Sequence, residues 1–290
     1  MIECLAHATI ALPETLPHSA RLDHWLNKGC NAEMKWMADS AETRKYPKHF
    51  NGKAYNAAWI ALWKYPRALQ KKQEPIAAYA HGKDYHIIIG NILREQALQV
   101  NGQAFVDSMP IAERELAAMA GLGFIGKNTM LINPKFGSGF FIGGILLRIE
   151  NVELKIENEE WRMENNSQFC AKCNRCIKAC PNSALTEDGF LDARKCAAYL
   201  TIEHRREFSE KQKALAKHSI FGCDICQRVC PYNAGHLAET EPYFAPEENE
   251  WKKKTIKETP LWRTGTKRLK RNTQNYWAAF HSGVCLPPAF

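Results

Sequence analysis

The sequence predicts an α+β protein built in parts, and three observations predict it. Helical and strand-like apolar patterns are mixed along residues 1–149; eight of the eleven cysteines crowd into residues 170–230; and a charged stretch, 150–164, separates the two. The boundaries that follow are 1–160 for a mixed first domain, 161–240 for a cysteine-rich module and 241–290 for a basic tail. A chain of 290 residues is long enough for one large core or two smaller ones.

In chain order, residues 20–38 carry a helix-like spacing, and YNAAWIALWKY at 55–65 reads as a buried strand. After Pro110, ERELAAMAGL places apolar residues at helical spacing, with Gly121 and Gly123 as its C-terminal stop. GKNTMLINPKFGSGFFIGGILLRI reads as two strands joined through the Asn133-Pro134 and Gly137-Ser138 turn signals. The connector is polar, and its few apolar residues suffice only for a short edge strand. GLGFIGK has the outline of a dinucleotide fingerprint, yet its glycines follow a helix instead of a strand. A turn packed against a ligand or another backbone is the better reading.

The cysteines name a cofactor. FCAKCNRCIKACP places Cys170, Cys173, Cys176 and Cys180 at bacterial ferredoxin spacing, with Pro181 after the last. In the two-cluster arrangement the closing Cys-Pro cysteine of each run crosses to the other cluster. Cys230 therefore joins Cys170, Cys173 and Cys176 around one 4Fe-4S cluster. Cys180 joins Cys223 and Cys226 around a second, and Cys196 fills the remaining ligand position. Cys4, Cys30 and Cys285 are left over and read as ordinary thiols. Zinc ribbons need only Cys-x-x-Cys pairs and leave Cys180 and Cys230 unexplained. A disulfide framework belongs to small secreted domains, and no basic-then-apolar leader opens this chain.

Charge adds a weaker signal. The chain carries 39 basic against 31 acidic residues, net +8, a bias towards a polyanionic partner. Residues 251–271 concentrate it: Lys252, Lys253, Lys254, Lys257, Arg263, Lys267, Arg268, Lys270 and Arg271 stand against Glu258 alone, interleaved with Trp251 and Trp262. Such a segment can follow a phosphate backbone while its rings stack on unpaired bases; a solvated basic terminus is the plain alternative. The longest stretch free of charged residues and histidine, 136–147, is too short to span a bilayer, so a soluble, reducing, cytoplasmic setting with no membrane partner is expected.

Several motifs together carry a resemblance across most of the chain. HGKDYH (81–86), VDSMPIAERELAAMAGLGFIGKNTMLI (106–132), GSGFFIGGILL (137–147), the first cysteine run, CAAYLTIE (196–203) and YNA after the final Cys-Pro occur in the order and spacing of epoxyqueuosine reductases. The family resembled is the cobalamin-dependent iron-sulfur enzyme that completes queuosine synthesis in tRNA. The resemblance implies a nitroreductase-like α/β cobalamin-binding domain followed by a ferredoxin-like two-cluster domain. It further implies tRNA with a GUN anticodon (Tyr, His, Asn, Asp) as substrate, and a low-potential electron donor. Compared with the family pattern, the chain starts about one helix late and stops where many relatives continue into a helical repeat domain. A ferredoxin-like electron carrier with an appended binding domain, and a cobalamin-dependent reductive dehalogenase, are the alternatives; the dehalogenases are typically exported.

Turning an epoxide into an alkene takes two electrons and two protons and releases water. Clusters deliver electrons singly, so a two-electron agent is required between them and the substrate, and a cobalt corrin fills that role. The protein must add orientation and an acid. Asp107 is the candidate acid, because a carboxyl group partly buried between Phe105-Val106 and a helix opened by Pro110 would be kept protonated. Helix capping is the alternative for an Asp in this position. The resemblance makes Asp107 of VDSMP the proton donor and places it at the cobalamin. It also assigns to the corrin pocket Arg44 in TRKYP, Leu131 and Ile142 in the two glycine-flanked strands, and Ala198 and Asp224 beside cluster ligands. Core packing explains Leu131 and Ile142 equally well. Ala77 stands where some relatives carry cysteine, against an obligatory thiol there. His81 and His86, five apart, suit neither one helical face nor one strand face, and read as structural or RNA-facing.

Overall fold

A computed structural model describes residues 4–65, 69, 74–149, 155–156, 167–234 and 256–281. Its strands are β1 (Cys4–Ala11), β2 (His49–Phe50), β3 (Lys53–Ala54), β4 (Ala57–Lys64), β5 (Gln103–Phe105), β6 (Phe124–Ile125), β7 (Leu131–Ile132), β8 (Phe140–Leu147) and β9 (Lys155–Ile156). Five of them form one antiparallel sheet in the order β5-β8-β4-β1-β9. The central strand, β4, is the YNAAWIALWKY run, and its uniformly apolar character follows from being covered on both faces. Ala58, Ile60 and Leu62 point into one core cluster and Ala61 and Trp63 into another. The connector supplies β9, the edge strand beside β1.

The first helices are α1 (Ser19–Asn27), α2 (Lys35–Asp39) and α3 (Ala41–Lys45). The single helix expected over 20–38 is therefore two. Gly29 (φ +64°) and Ala32 (φ +52°) take left-handed conformations. The amides of Gly29 and Cys30 fold back onto the carbonyls of Leu26 and Trp25 at 2.8 and 3.1 Å, closing α1 before the apolar spacing ends. Helix α4 (Tyr85–Gln99) lays Tyr85, Ile89, Leu93 and Ala97 over one core cluster; α5 (Glu113–Met119) lays Leu116 and Ala117 over the other. Helix α5 ends as expected, with Gly121 at φ +77° and the Leu122 amide returning to Ala117. Its start lies three residues beyond Pro110. The two strands read in 126–149 are β7 and β8, but they belong to different sheets: β7 pairs with β6. GLGFIGK is a turn against backbone, because a Cβ on Gly123 would stand 2.5 Å from the Ile132 carbonyl oxygen.

The cysteine region contributes α6 (Ser167–Lys172), α7 (Arg175–Ala179), α8 (Ala197–Ile202), α9 (Glu210–Ala216) and α10 (Ile225–Arg228), and the C-terminal part α11 (Thr266–His281). These parts are stitched to the sheet region. Pro75 accepts the amides of Ile220 and Phe221, Ala77 donates back to Phe221 at 2.9 Å, and Trp25 Nε1 donates to the Leu191 carbonyl at 2.6 Å.

The tail differs from a run of solvated charge. Arg271 is 9 % exposed, its guanidinium lies 3.8 Å from the Phe208 ring centroid, and it donates to the carbonyls of Leu200, His204 and Arg206. Arg268 is half-buried and donates to Ile202 at 3.0 Å. The expectation that residues 251–271 contact RNA is corrected in part: the planar forks of Arg271 and Arg268 hold α11 against the chain ending α8. Lys267 and Lys270 stay exposed, while Trp251 and Lys252–Lys254 lie outside the described residues.

Candidate active site

Helix α4 begins at Asp84, whose carboxylate caps it by accepting the His86 amide at 3.0 Å. That start brings two side chains onto Asp107, in the loop after β5. Tyr85 donates its hydroxyl to Asp107 Oδ2 at 2.7 Å. His86 places Nε2 3.0 Å from the same oxygen and Nδ1 2.7 Å from Asp84 Oδ1. Both imidazole nitrogens thus face carboxyl groups, an arrangement that suits the doubly protonated ring. The His86 ring also stacks on Tyr85, and Tyr85 on Phe141, each at 4.0 Å.

Asp107 sits at φ +50°, a left-handed conformation for a residue with a side chain. Its amide donates to Glu113 Oε1 at 2.5 Å. Since α5 is preceded by Ala112 and Asp107 bonds to none of its amides, the capping alternative does not describe it. The expected rise in its pKa is also corrected. Desolvation by the surrounding groove walls pushes the Asp107 carboxyl up, though its side chain stays open to the groove; His86, Tyr85 and Arg114 outweigh it, and the group lies below its ordinary value. The shifts of its partners run the other way. Although burial pulls His86 down, Asp107 and Asp84 hold it above its ordinary value. Burial, followed by the Asp107 charge, pushes Glu113 well above the usual carboxylate range.

Asp107, 61 % exposed at its side chain, opens onto a groove of about 650 Å³. Arg44 lies on the same groove, 5.2 Å from the Trp36 ring, donating to Ser40 Oγ at 3.1 Å and Ile111 O at 3.5 Å. Burial lowers its pKa, with Glu113 and Asp107 opposing. The structure therefore brings Asp107 and Arg44 together. Leu131 is 1 % exposed inside the main core and Ile142 packs against that core, so packing accounts for both side chains. Ala198 is half-buried in α8. Asp224 is 8 % exposed and accepts the Ala78 amide at 2.7 Å; burial pushes it up to about 6. Ala77 is buried against Gly222.

The cysteines gather in two sets. Cys170, Cys173, Cys176 and Cys230 line one small cavity with Lys127 and Tyr232, and the Lys127 amide points at Cys170 Sγ at 3.5 Å. Burial, with the other three thiols, pushes Cys230 up to about 11. Burial likewise pushes Cys223 to about 12, with Cys196 and Cys180 among its charged neighbours; Cys226 is raised for the same reason beside Cys223, Cys196 and Cys180. Cys4 is exposed, Cys30 buried, and Cys285 lies outside the described residues.

Sequence reasoning missed Tyr85, Glu113 and the role of His86. The available signal was HGKDYH at a helix start, whose two histidines invite comparison with a metal pair before they suggest partners for a distant carboxylate. His81 is a separate, buried group, its Nε2 3.3 Å from the Ile76 carbonyl.

Residues 169–233 match the 4Fe-4S double cluster binding domain. An epoxyqueuosine reductase from Cyclobacterium marinum is 34 % identical over 289 residues, covering 92 % of this chain and 89 % of the relative. The Escherichia coli epoxyqueuosine reductase is 34 % identical over 245 residues, covering 78 % of this chain and 61 % of its own length. Among solved structures, epoxyqueuosine reductase from Streptococcus thermophilus superposes with a TM-score of 0.74 at 25 % identity, covering 96 % of this chain and 78 % of that one. A second, solved with an epoxyqueuosine-modified tRNA-Tyr stem loop, gives 0.75 at 22 % identity over 98 % and 80 % of the two chains. Among the described residues no helix is long and apolar enough to cross a membrane.

Proposed function

Because the chain belongs to the epoxyqueuosine reductase family, we propose that the Asp107 groove is where epoxyqueuosine is reduced to queuosine, on cobalamin, in tRNA. The enzyme is an oxidoreductase of queuosine biosynthesis, and iron-sulfur clusters carry its electrons. The observation that carries the assignment of the site is the placement of Asp107: a strained, groove-facing carboxylate tied to an imidazolium and a phenol. The cysteine sets assigned to the two clusters are Cys170, Cys173, Cys176, Cys230 and Cys180, Cys196, Cys223, Cys226.

The groove fits cobalamin in kind. It is of the size of known cofactor sites, and it presents the flat face of Trp36 and the fixed guanidinium of Arg44 beside Asp107. Arg44 and Asp107 would hold the cofactor, with Ala198 and the buried Asp224 carboxyl beside the second cysteine set. Bound there, cobalamin supplies the two-electron reducing centre that single-electron clusters lack. Everything else falls to the chain. As the epoxide opens, its oxygen becomes strongly basic and needs a proton within reach. Asp107 is the group on the groove; His86 and Tyr85 behind it hold protons on Oδ2, so Asp107 passes on a proton that His86 carries. Glu113, kept protonated and bound to the Asp107 amide, holds the loop and supplies a second acid nearby.

Functionally, residues 1–160 form the catalytic part, 161–240 the electron-transfer part and 241–290 a basic segment. The substrate is tRNA with a GUN anticodon, the electron source a low-potential carrier, and the setting cytoplasmic. Anaerobic reconstitution with iron, sulfide and cobalamin, followed by assay on epoxyqueuosine-containing tRNA, tests this. Conversion to queuosine is expected; clusters and cobalamin bound without conversion would overturn it.

A further inference from the structure

The C-terminal part reaches the acid pair from behind. The 3-10 turns Ile256–Glu258 and Pro260–Thr264 lie against the start of α4. There the Asp84 amide donates to the Glu258 carbonyl at 2.7 Å, and Arg263 Nε donates to Asp84 Oδ2 at 2.6 Å. Asp84 is 6 % exposed at its side chain, and its other oxygen is the one 2.7 Å from His86. One continuous chain of charge-assisted contacts therefore runs Arg263–Asp84–His86–Asp107, each link at 3.0 Å or less.

We propose that Arg263 is a positioning residue for proton delivery, holding Asp84 Oδ2 and sharing its negative charge so that His86 remains able to release its proton towards Asp107. The inference rests on the reading of Asp107 and His86 given above. The groups facing His86 come from three places: Asp84 and Tyr85 from the start of α4, Asp107 from the loop after β5, and Arg263 through Asp84 from the C-terminal turn. Glu113 and Arg114 of α5 act on Asp107. With carboxylates on both ring nitrogens, His86 is bound tightly in its charged form, which makes it a poor donor unless one carboxylate is neutralised elsewhere. Arg263 is the cation that neutralises Asp84, and its absence leaves Asp84 in place, because the helix cap and the Glu258 contact remain. The proposal also gives this arginine, one of the nine basic residues of the tail, a role other than phosphate contact.

The test uses the oxidised holoenzyme with clusters and cob(III)alamin, its histidine rings isotope-labelled, and His86 assigned by the signal missing in His86→Gln. In Arg263→Gln the His86 titration should move up by about half a pH unit, the scale of one partly screened charge a few ångströms away. The alkaline limb of turnover should move with it. Arg263→Lys, which keeps the charge, should restore the wild-type titration, a rescue that a packing role would not give. An unchanged or lowered His86 titration in Arg263→Gln overturns the proposal. The parent reading fails separately: His86→Gln or Asp107→Asn with wild-type turnover would remove the acid pair, whatever the ring titration shows.

Discussion

The cysteine region and the acid cluster assemble their chemistry by opposite routes. Eight thiols fall within residues 170–230, most in two short runs, and four of them, Cys170, Cys173, Cys176 and Cys230, line one small cavity. The acid cluster instead draws Asp84, Tyr85 and His86 from a helix start, Asp107 from a loop, Glu113 from α5 and Arg263 from the far end of the chain. The lesson is that a cofactor held by short local motifs tolerates little change of spacing but announces itself, whereas a proton relay depends on packing between distant segments and leaves only scattered single residues.

The comparison breaks most visibly at Cys196, the one proposed ligand outside both runs. Cys196→Ala should remove one cluster and all turnover, lowering iron from about eight to about four per chain while leaving the other set intact. Iron that stays near eight would show that another residue completes the set. On the other side, Asp107→Asn should keep iron and cobalamin and lower single-turnover reduction by roughly 10²–10⁴-fold, the usual contribution of a positioned acid.

pH sharpens the contrast, because proton transfer in the acid cluster depends on the charge state of His86 and Asp107. His86 is raised, so its proton is retained above about 6.5, the unperturbed histidine value, and lost only as pH passes the higher folded value. Turnover should fall on that alkaline side. The stability His86 contributes is complete below about 6.5 and is lost over the same window. Asp107, being lowered, contributes oppositely: its share is present above about 3.9 and disappears as pH falls through the depressed value. A turnover profile flat from neutral to alkaline pH would detach His86 from the reaction.

The tail gives the smaller effects. Arg271→Ala removes a stacked guanidinium and three carbonyl partners, and should destabilise the protein by about 2–4 kcal/mol in denaturant unfolding without altering iron content. Neutralising Lys267 and Lys270, both exposed, should weaken tRNA binding modestly and flatten its salt dependence by about one unit of slope for each phosphate left unneutralised. An unchanged slope would assign the RNA grip to other surfaces.

Much of this was legible before any fold was known. The central strand declared itself in YNAAWIALWKY because a strand buried on both faces needs no polar alternation. The end of α5 was legible because a glycine past a helical pattern supplies the left-handed residue that stops it. The double-cluster region was legible because ligands to one cubane come largely from one short run of sequence, and ordered motifs along the chain identified the family. The break between α1 and α2 was not, since the apolar spacing continues across a turn set by Gly29.

By itself, then, the sequence determined the central strand, the iron-sulfur region and the family, all of which depend on spacing along the chain. Only the tertiary structure decided that Asp107 is held below its ordinary value and His86 above it, because an acid's pKa is set by which charges folding brings within a few ångströms. The structure alone likewise turned Arg271 from an expected RNA-binding residue into a buried anchor and set Arg263 behind Asp84. A side chain's sign is written in the sequence, but its partner is chosen by packing.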